Sequence, residues 1–406
     1  MRIIYFHQHF STPSGSTGTR SYEMARALVA AGHNVKLVCG SYRDGNTGLE
    51  STFKNGKRCG IVDGIHVTEL ALGYSNHDNF IKRVIIFTKF AIRSIAIALK
   101  EPCDLVFATS TPLTTSIPGV FSRWLRGKCF VFEVRDLWPE LPREMGVITN
   151  PVLLGLMSVL EWVSYRSAHA CIGLSPGIVD GIRRHSRREL PIKMIPNGCD
   201  IKLFSKDQSA KRPPGVDNNH LMAVFTGAHG IANGLDAVLK VAEILKQREC
   251  DRIKLVFIGD GRLKPILVKQ AKEKELNNCQ FLDPVPKTEL VSYLRTADVG
   301  LMILANVPAF YYGTSPNKFF DYLSIGLPII NNYPGWLAGM INKHKCGIAV
   351  PPEDPDAFAD ALIYLLEHPD ERDEMGKNSR ELALSDFNRT DLADQFVRFL
   401  ERVAIS

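Results

Sequence analysis

Short apolar runs alternate with stretches of helical spacing along the whole chain. Residues 3–6, 35–39, 104–108, 129–133 and 170–174 are compact runs rich in Ile, Val and Phe and read as buried strands. Residues 21–31, between the first two runs, repeat apolar positions at helical spacing. This alternation predicts parallel sheets joined by crossover helices. It lapses after Asn197-Gly-Cys-Asp200, where residues 205–220 are polar, contain proline and read as a linker. A second series follows, with strand-like runs at 221–226, 254–258, 279–282, 299–304, 328–331 and 347–350. Helical spacing lies between them at 235–245, 263–274, 287–295 and 319–324. Two Rossmann-like halves of about six strands each account for both series. The expected domains are 1–204 and 205–385, with 386–406 as a terminal segment. In that segment Leu392, Phe396, Phe399 and Leu400 share one helical face, which predicts a helix covering a partner surface.

One stretch departs from the pattern. Residues 80–99 are rich in Ile, Phe, Val and Ala but carry Lys82, Arg83, Lys89 and Arg93. Charges so placed are costly in hydrocarbon, so the segment does not read as a membrane span. Two readings stay open: an amphipathic helix dipping into an anionic membrane surface, and a core helix with a basic solvent face. Residues 152–163 read as an apolar core helix.

Composition narrows the function classes. A chain of 406 residues exceeds the size at which one core keeps growing, which agrees with two domains. Its hydrophobic content of 45% and charged content of 23% are ordinary for a globular protein. The net charge is +6, and no Arg/Lys-rich run with interleaved aromatics occurs, which argues against a nucleic-acid role. Nine cysteines lie singly, with no C-x-x-C pair, and read as buried thiols of a reducing compartment. Met1-Arg-Ile-Ile-Tyr-Phe6 enters directly as a strand, which predicts no secretory signal and a cytoplasmic location.

Three segments carry candidate chemistry. Ser14-Gly-Ser-Thr-Gly-Thr-Arg-Ser-Tyr-Glu23 is a small-residue loop feeding a helix, where Gly15 and Gly18 let the backbone approach a ligand. It has neither the dinucleotide nor the P-loop glycine spacing, which weighs against NAD and ATP. Arg20 is expected to neutralise phosphate. Glu133-Val-Arg-Asp-Leu-Trp-Pro-Glu140 ends a strand-like run at the sheet edge where open α/β folds bind ligands. There Asp136 is expected to orient an acceptor hydroxyl or the donor ring, Arg135 to balance charge, and Trp138 to stack on a sugar. The plainer alternative is a structural salt-bridge network. Ser315-Pro-Asn-Lys-Phe-Phe-Asp-Tyr-Leu-Ser-Ile-Gly-Leu-Pro328 opens a helix and closes it on Gly-Leu-Pro. Lys318 and Asp321 are one turn apart at its start. A helix N-terminus with a lysine suits a diphosphate, and the carboxylate suits a ribose diol. A solvated Lys–Asp pair is the alternative.

Taken in order, the Gly-rich loop, Asn197-Gly-Cys-Asp200, Phe225-Thr-Gly227 with Gly234-Leu-Asp236, Ile258-Gly-Asp-Gly261 and residues 319–328 resemble a family 4 retaining glycosyltransferase. The resemblance spans nearly the whole chain. The Arg-Asp-Leu-Trp-Pro-Glu and Ser-Pro-Asn-Lys-x-x-Asp-Tyr signatures resemble its WbuB-like O-antigen and capsule subgroup, which transfers N-acetylfucosamine.

The resemblance implies an α/β GT-B fold, with two Rossmann-like domains facing across a cleft and a C-terminal helix returning to the first. It implies a UDP-sugar donor held by the second domain, an acceptor side on the first, and no metal or other cofactor. It places Gly227, His229, Asn233, Gly259, Val285, Ser315, Asn317 and Asp321 on the nucleotide sugar, together with Gly15 and Gly18. Arg20, Arg135, Asp136 and Lys318 become the expected catalytic set. The implied partner is a polyprenyl-diphosphate-linked saccharide, met peripherally at the inner face of the plasma membrane. The chain departs from the family in three places. The family's basic pair after the first strand of the second domain falls on Ala228 and Asn233, the first of its two glutamates falls near Gly313, and its frequent histidine is Arg135. Phosphate charge is thereby left to Lys318 and Arg20. A nucleotide-sugar 2-epimerase and a non-catalytic nucleotide-binding scaffold are the competing readings.

Overall fold

The computed structural model describes residues 1–75, 77–205 and 209–405, so residues 206–208 of the expected linker lie outside the described residues. The chain forms two compact units. One comprises Met1–Pro196, Gly313–Ser315 and the residues from Thr390 onward; the other comprises Asn197–Tyr312 and Pro316–Arg389. The divisions fall at Pro196 and Arg389, not after 204 and 385. Asn197-Gly-Cys-Asp200 therefore belongs to the second unit.

Strands β1 (Arg2–Phe6), β2 (Asn34–Tyr42), β3 (Lys57–Val62), β4 (Ile65–Tyr74), β5 (Leu105–Thr109), β6 (Cys129–Val134), β7 (Ala170–Gly173) and β8 (Ile192–Met194) make the first sheet. Their order is β3-β4-β2-β1-β5-β6-β7-β8. All pairs are parallel except β3 with β4, a hairpin closed by Asp63 and Gly64, both at positive φ. The eight strands exceed the expected six or so because β3 alternates exposed and half-buried residues, β4 is interrupted by exposed positions, and β8 is only three residues long and largely exposed. In contrast, β5 and β6 are buried almost throughout, as crossover helices on both faces require, and read plainly in the sequence.

The second sheet is parallel throughout, in the order β11-β10-β9-β12-β13-β14. Its strands are β9 (Leu221–Thr226), β10 (Ile253–Ile258), β11 (Cys279–Leu282), β12 (Val299–Met302), β13 (Ile329–Asn331) and β14 (Gly347–Ala349). The carboxyl ends of β9, β10 and β11 lie side by side at one edge.

The terminal helix Arg389–Ile405 packs onto the first unit from Thr390 on, with Leu392, Phe396 and Leu400 buried. Phe396 meets Phe107 of β5 edge-on at 5.0 Å. Each of these side chains contributes roughly 2 kcal/mol by leaving water.

Helix Phe80–Lys100 starts at Asn79, whose side chain accepts from the Lys82 amide. It buries Ile86, Phe90, Ala91, Ser94 and Ala98 and exposes Ile81 and Ile92. Helix Pro151–Ser167, expected as a core helix over 152–163, meets the core on one side only, through Tyr165 with Leu160 and Val163. Its buried residues are Glu161, Ser164, Tyr165 and Ser167, and its apolar residues Val152, Leu156, Val159 and Trp162 are exposed. Apolarity alone does not say which face a helix turns inward. All nine cysteines are free thiols, but Cys59 is exposed, so they are not uniformly buried. Among the described residues no helix is long and apolar enough to cross a membrane, and no group of three or more His, Cys, Asp or Glu is arranged to hold a metal.

Candidate functional site

At the carboxyl edge of the second sheet, β9 runs into Gly227-Ala-His-Gly230 and a short turn at Ile231–Asn233. Gly234, at φ +54, closes the turn ahead of helix Asp236–Gln247. The loop after β10 braces it backbone to backbone: the His229 amide donates to the Asp260 carbonyl at 2.9 Å, and the Leu263 amide to the His229 carbonyl at 3.0 Å. Gly259 sits at φ +153, and a Cβ there would lie 1.9 Å from the Gly227 oxygen. Only glycine allows this approach.

Helix Asn317–Ile325 delivers a cation to the loop. Lys318, its second residue, places Nζ 2.6 Å from Asn233 Oδ1 and 4.0 Å from the centroid of the Phe225 ring. Asn233 in turn donates through Nδ2 to the Ala228 carbonyl at 2.7 Å. A Cβ on Gly227 would lie 3.5 Å from Lys318 Cε. Burial brings the Lys318 ammonium down to about 7. The cation is thus held between a ring face and one amide oxygen, with no carboxylate paired to it among the described residues. A dianionic ligand fits a cation so held.

Asp321 does not extend this site, contrary to the expected ribose contact. It is 6% exposed and lies 3.0 Å from Lys287 Nζ. Lys287 also meets Asp200 at 2.5 Å, and Asp200 pairs with Arg389. Two carboxylates and two cations form a balanced buried quartet. Burial pushes the Asp200 carboxyl up, but Arg389 and Lys287 outweigh it and hold it below its ordinary value. At Asp321 burial prevails over Lys287 and the carboxyl is raised. Three residues apart on one helix, Lys318 and Asp321 therefore serve different partners, and the solvated-pair reading fails as well.

His229 is fully buried, beside the rings of Phe225, Phe257 and Phe281 at centroid distances of 6.0, 6.4 and 6.1 Å. Burial, then the Lys264 charge, lowers it to about 4 against the pull of Asp260. Both of its ring nitrogens are buried without a hydrogen-bond partner among the described residues. Val285 is half-buried in the loop after β11, at the same sheet edge. Asn317 opens the lysine's helix with its Oδ1 buried and without a hydrogen-bond partner among the described residues. Ser315 is half-buried and groups with the first unit, as do Gly15 and Gly18. Gly15 is packed, because a Cβ there would lie 2.2 Å from Ser11 Oγ.

In the first unit the expected catalytic arginine is a strut. Arg20 is 1% exposed and donates to Glu133 Oε2 from Nε at 3.0 Å and from Nη2 at 2.7 Å. It also donates to the carbonyls of Ile195 at 2.9 Å and Pro196 at 2.6 Å. With these donors engaged and no exposed face, it is not placed to meet a phosphate. Burial would raise the Glu133 carboxyl, but Arg20 and Arg135 hold it below its ordinary value. Arg135 joins the same network, with Nε 2.8 Å from Thr109 Oγ1 and Nη2 2.7 Å from Ser21 Oγ. Glu140 is tied to Arg184 at 2.9 Å. The structural-network reading therefore holds for Glu133 and Arg135, and Arg20, neither a surface residue nor a phosphate ligand, is drawn into the same network. Asp136 differs: its recorded side-chain bond is from Thr111 Oγ1 at 2.8 Å, and burial raises its carboxyl against Thr111 and Arg135. Trp138 has its Nε1 buried without a hydrogen-bond partner among the described residues.

Sequence reasoning missed His7, Gln8 and His9, the polar residues that follow β1 at the carboxyl edge of the first sheet. His7 and Gln8 are buried, and His7 Nδ1, both Gln8 amide atoms and His9 Nε2 have no hydrogen-bond partner among the described residues. The His9 ring stacks on Tyr74 at 4.4 Å. Burial, then Arg83 and Arg135, brings His9 down to about 3; burial, then Arg135 and His9, holds His7 well below its ordinary value. Both imidazoles are neutral at pH 7. The available signal was a polar triplet directly after a buried strand, at the edge where α/β sheets bind ligands.

Residues 206–382 match the family model "Glycosyl transferases group 1", and residues 15–198 match "Glycosyl transferase 4-like domain". A D-inositol 3-phosphate glycosyltransferase of Corynebacterium glutamicum is 27% identical over 208 residues, which cover 47% of each chain. The D-rhamnosyltransferase WbpZ of Pseudomonas aeruginosa is 31% identical over 126 residues, 31% of this chain and 32% of that one. The chain thus spans about half, or less, of the length of the curated relatives it matches. Among solved structures, sucrose-phosphate synthase from Thermosynechococcus elongatus superposes with a TM-score of 0.77 at 19% identity, covering 100% of both chains. Anabaena HepE, solved in complex with UDP-glucose, gives 0.69 at 16%, covering 99% of this chain and 100% of that one. WaaG, described as a glycosyltransferase involved in lipopolysaccharide biosynthesis, gives 0.69 at 13%, covering 98% and 99%. Likeness at these identities concerns the fold alone.

Proposed function

We propose, for a chain that belongs to the group 1, GT4-like glycosyltransferases of GT-B fold, that it transfers a sugar from a UDP-sugar to a saccharide acceptor with retention of configuration. One observation carries this reading. The two positions where the family's basic pair is expected are Ala228 and Asn233, and Lys318 reaches the same loop from another helix, with its Nζ 2.6 Å from Asn233. The charge that relatives place on the loop arrives here on helix Asn317–Ile325. As the nucleoside diphosphate leaves, negative charge grows on its phosphate oxygens, and Lys318 with the free N–H groups of that helix start stabilises it. The sugar becomes oxocarbenium-like, and the acceptor hydroxyl enters on the departing face with its proton passing to a phosphate oxygen. No protein nucleophile is required. Asp136 is the residue proposed to orient the acceptor, with His7, Gln8 and His9 as polar neighbours in the same sheet edge.

The finer reading is an N-acetylated deoxyhexosamine delivered to a polyprenyl-diphosphate-linked saccharide in bacterial surface polysaccharide synthesis. It is supported by the WbuB-like signatures and by the similarity of a stretch of the chain to a rhamnosyltransferase. A cytoplasmic protein that touches the membrane peripherally through helix Phe80–Lys100 follows from the same reading. The test is incubation with UDP-, GDP- and ADP-sugars and a lipid-linked saccharide, read by mass. Transfer from a UDP-sugar that falls at least tenfold in Lys318→Ala, with an unchanged melting temperature, is the expected result. Release of a free epimer, or UDP-sugar binding without turnover, overturns it in favour of an epimerase or a scaffold.

A further inference from the structure

Helices Ile117–Arg126 and Pro151–Ser167 pack against each other in the first unit, and both turn apolar side chains outward as well as inward. In Pro151–Ser167 the positions Val152, Leu156, Val159 and Trp162 recur at helical spacing and face outward, with Val152 71% and Leu156 64% exposed. The inward face of the same helix holds Glu161, Ser164 and Ser167 and meets the core through Tyr165, with Leu160 and Val163 packed alongside. Helix Ile117–Arg126 repeats the arrangement: Pro118, Gly119, Val120 and Ser122 are buried, and Trp124 is 63% exposed beside Leu125 at 66%. A helix facing water carries its apolar stripe inward. Two adjacent helices with the stripe outward form an apolar patch that a soluble monomer rarely displays.

Charge identifies what covers it. The chain has 43 acidic residues, yet the two helices contain one, Glu161, which is buried and bonded to Tyr165 and His185. Their other charges are Arg123, Arg126 and Arg166, with the Arg166 guanidinium 4.6 Å over the Trp162 ring. The neighbouring helix Phe80–Lys100 has five basic residues and no acidic one. Apolar residues with tryptophans, on helices whose exposed charges are arginine and lysine, match an anionic lipid headgroup region over acyl chains. A second copy laid on the same face would bring basic rims together, at an electrostatic cost.

We propose that the outward face of Ile117–Arg126 and Pro151–Ser167 is a docking surface for an anionic bilayer, with Trp124 and Trp162 seated at the headgroup level. This surface lies outside the donor site and acts without any sugar. The test is flotation of the whole protein with phosphatidylcholine vesicles and with mixed phosphatidylcholine–phosphatidylglycerol vesicles, free of acceptor and nucleotide. Flotation with the mixed vesicles, a blue shift of tryptophan emission, and at least a tenfold loss of partitioning in Leu156→Ser/Val159→Ser at unchanged melting temperature are expected. Absence of flotation overturns the proposal. So does flotation that the double variant leaves intact, and so does a solution dimer that the variant dissociates, which would make a second copy the occupant. UDP-glucose binding by the double variant is measured alongside: its loss would show damage beyond the surface, and Leu156→Gln with Trp124→Gln then replaces it under the same criteria.

Discussion

At the residue scale, the site depends on how each charge is held. Arg20 and Lys318 were both expected to carry phosphate charge, but one is locked to Glu133 and two carbonyls and the other has a single amide oxygen. Sequence position could not separate them, because each stands at the start of a helix after a turn. Arg20→Ala leaves Glu133 buried with part of its compensation gone, so a loss of about 3–5 kcal/mol in urea unfolding is expected, with UDP-glucose affinity unchanged. The lowered value of about 7 at Lys318 gives two pH signatures. In the proposed function the protonated lysine binds the diphosphate diester, which does not itself titrate near neutrality. Affinity for UDP-glucose by calorimetry should therefore be level below about pH 7 and fall by up to tenfold per unit above it, and Lys318→Met should be weak and flat. In stability the sign is opposite. The folded value lies below the unfolded one, so the cost of burying the charge is fully present below pH 7 and disappears as pH rises toward the unfolded value. Lys318→Met should be more stable than the wild type at pH 6 and lose that advantage on the way to pH 10.

At the element scale, the donor loop is shaped by contact between two backbones. Gly259→Ala puts a Cβ 1.9 Å from the Gly227 carbonyl, so the loops must separate. A loss of roughly 1–3 kcal/mol and a UDP-glucose affinity at least tenfold weaker are expected, read by thermal unfolding and calorimetry. Helix Asn317–Ile325 has two functions on two faces: Lys318 toward the loop and Asp321 into the quartet with Lys287 and Asp200. Asp321→Asn should lower the unfolding midpoint and leave the Kd for UDP-glucose within about twofold, where a ribose ligand would lose far more. The central parallel strands of both sheets were legible because burial on two faces makes them largely unbroken apolar runs, whereas β4 and the short, exposed β8 were not read. The hairpin strand β3 was not, because its residues alternate between exposed and half-buried. Helix Pro151–Ser167 was legible as a helix, but its facing was not, since periodicity gives a stripe and not the side on which the core lies.

At the scale of the whole molecule, the proposed function has a leaving diphosphate met by Lys318 and a helix N-terminus, with no divalent ion supplying the charge. Transfer measured in EDTA should match transfer in magnesium within about twofold; strict dependence on magnesium would overturn this account of the charge. The sequence by itself determined the two α/β halves, the order of the motifs, the terminal helix and the loops at the strand ends. Each follows from local rules: apolar period, glycine freedom and the position of strand ends. Tertiary structure alone decided which charged residues are free to act. Arg20, Glu133 and Arg135 are joined across 113 residues and more of chain, Asp321 is drawn to Lys287, and Lys318 meets Asn233 across 85 residues. A charge has a function only when its partners are known, and partners so distant in sequence are brought together by the packing of the sheets, which no local pattern records.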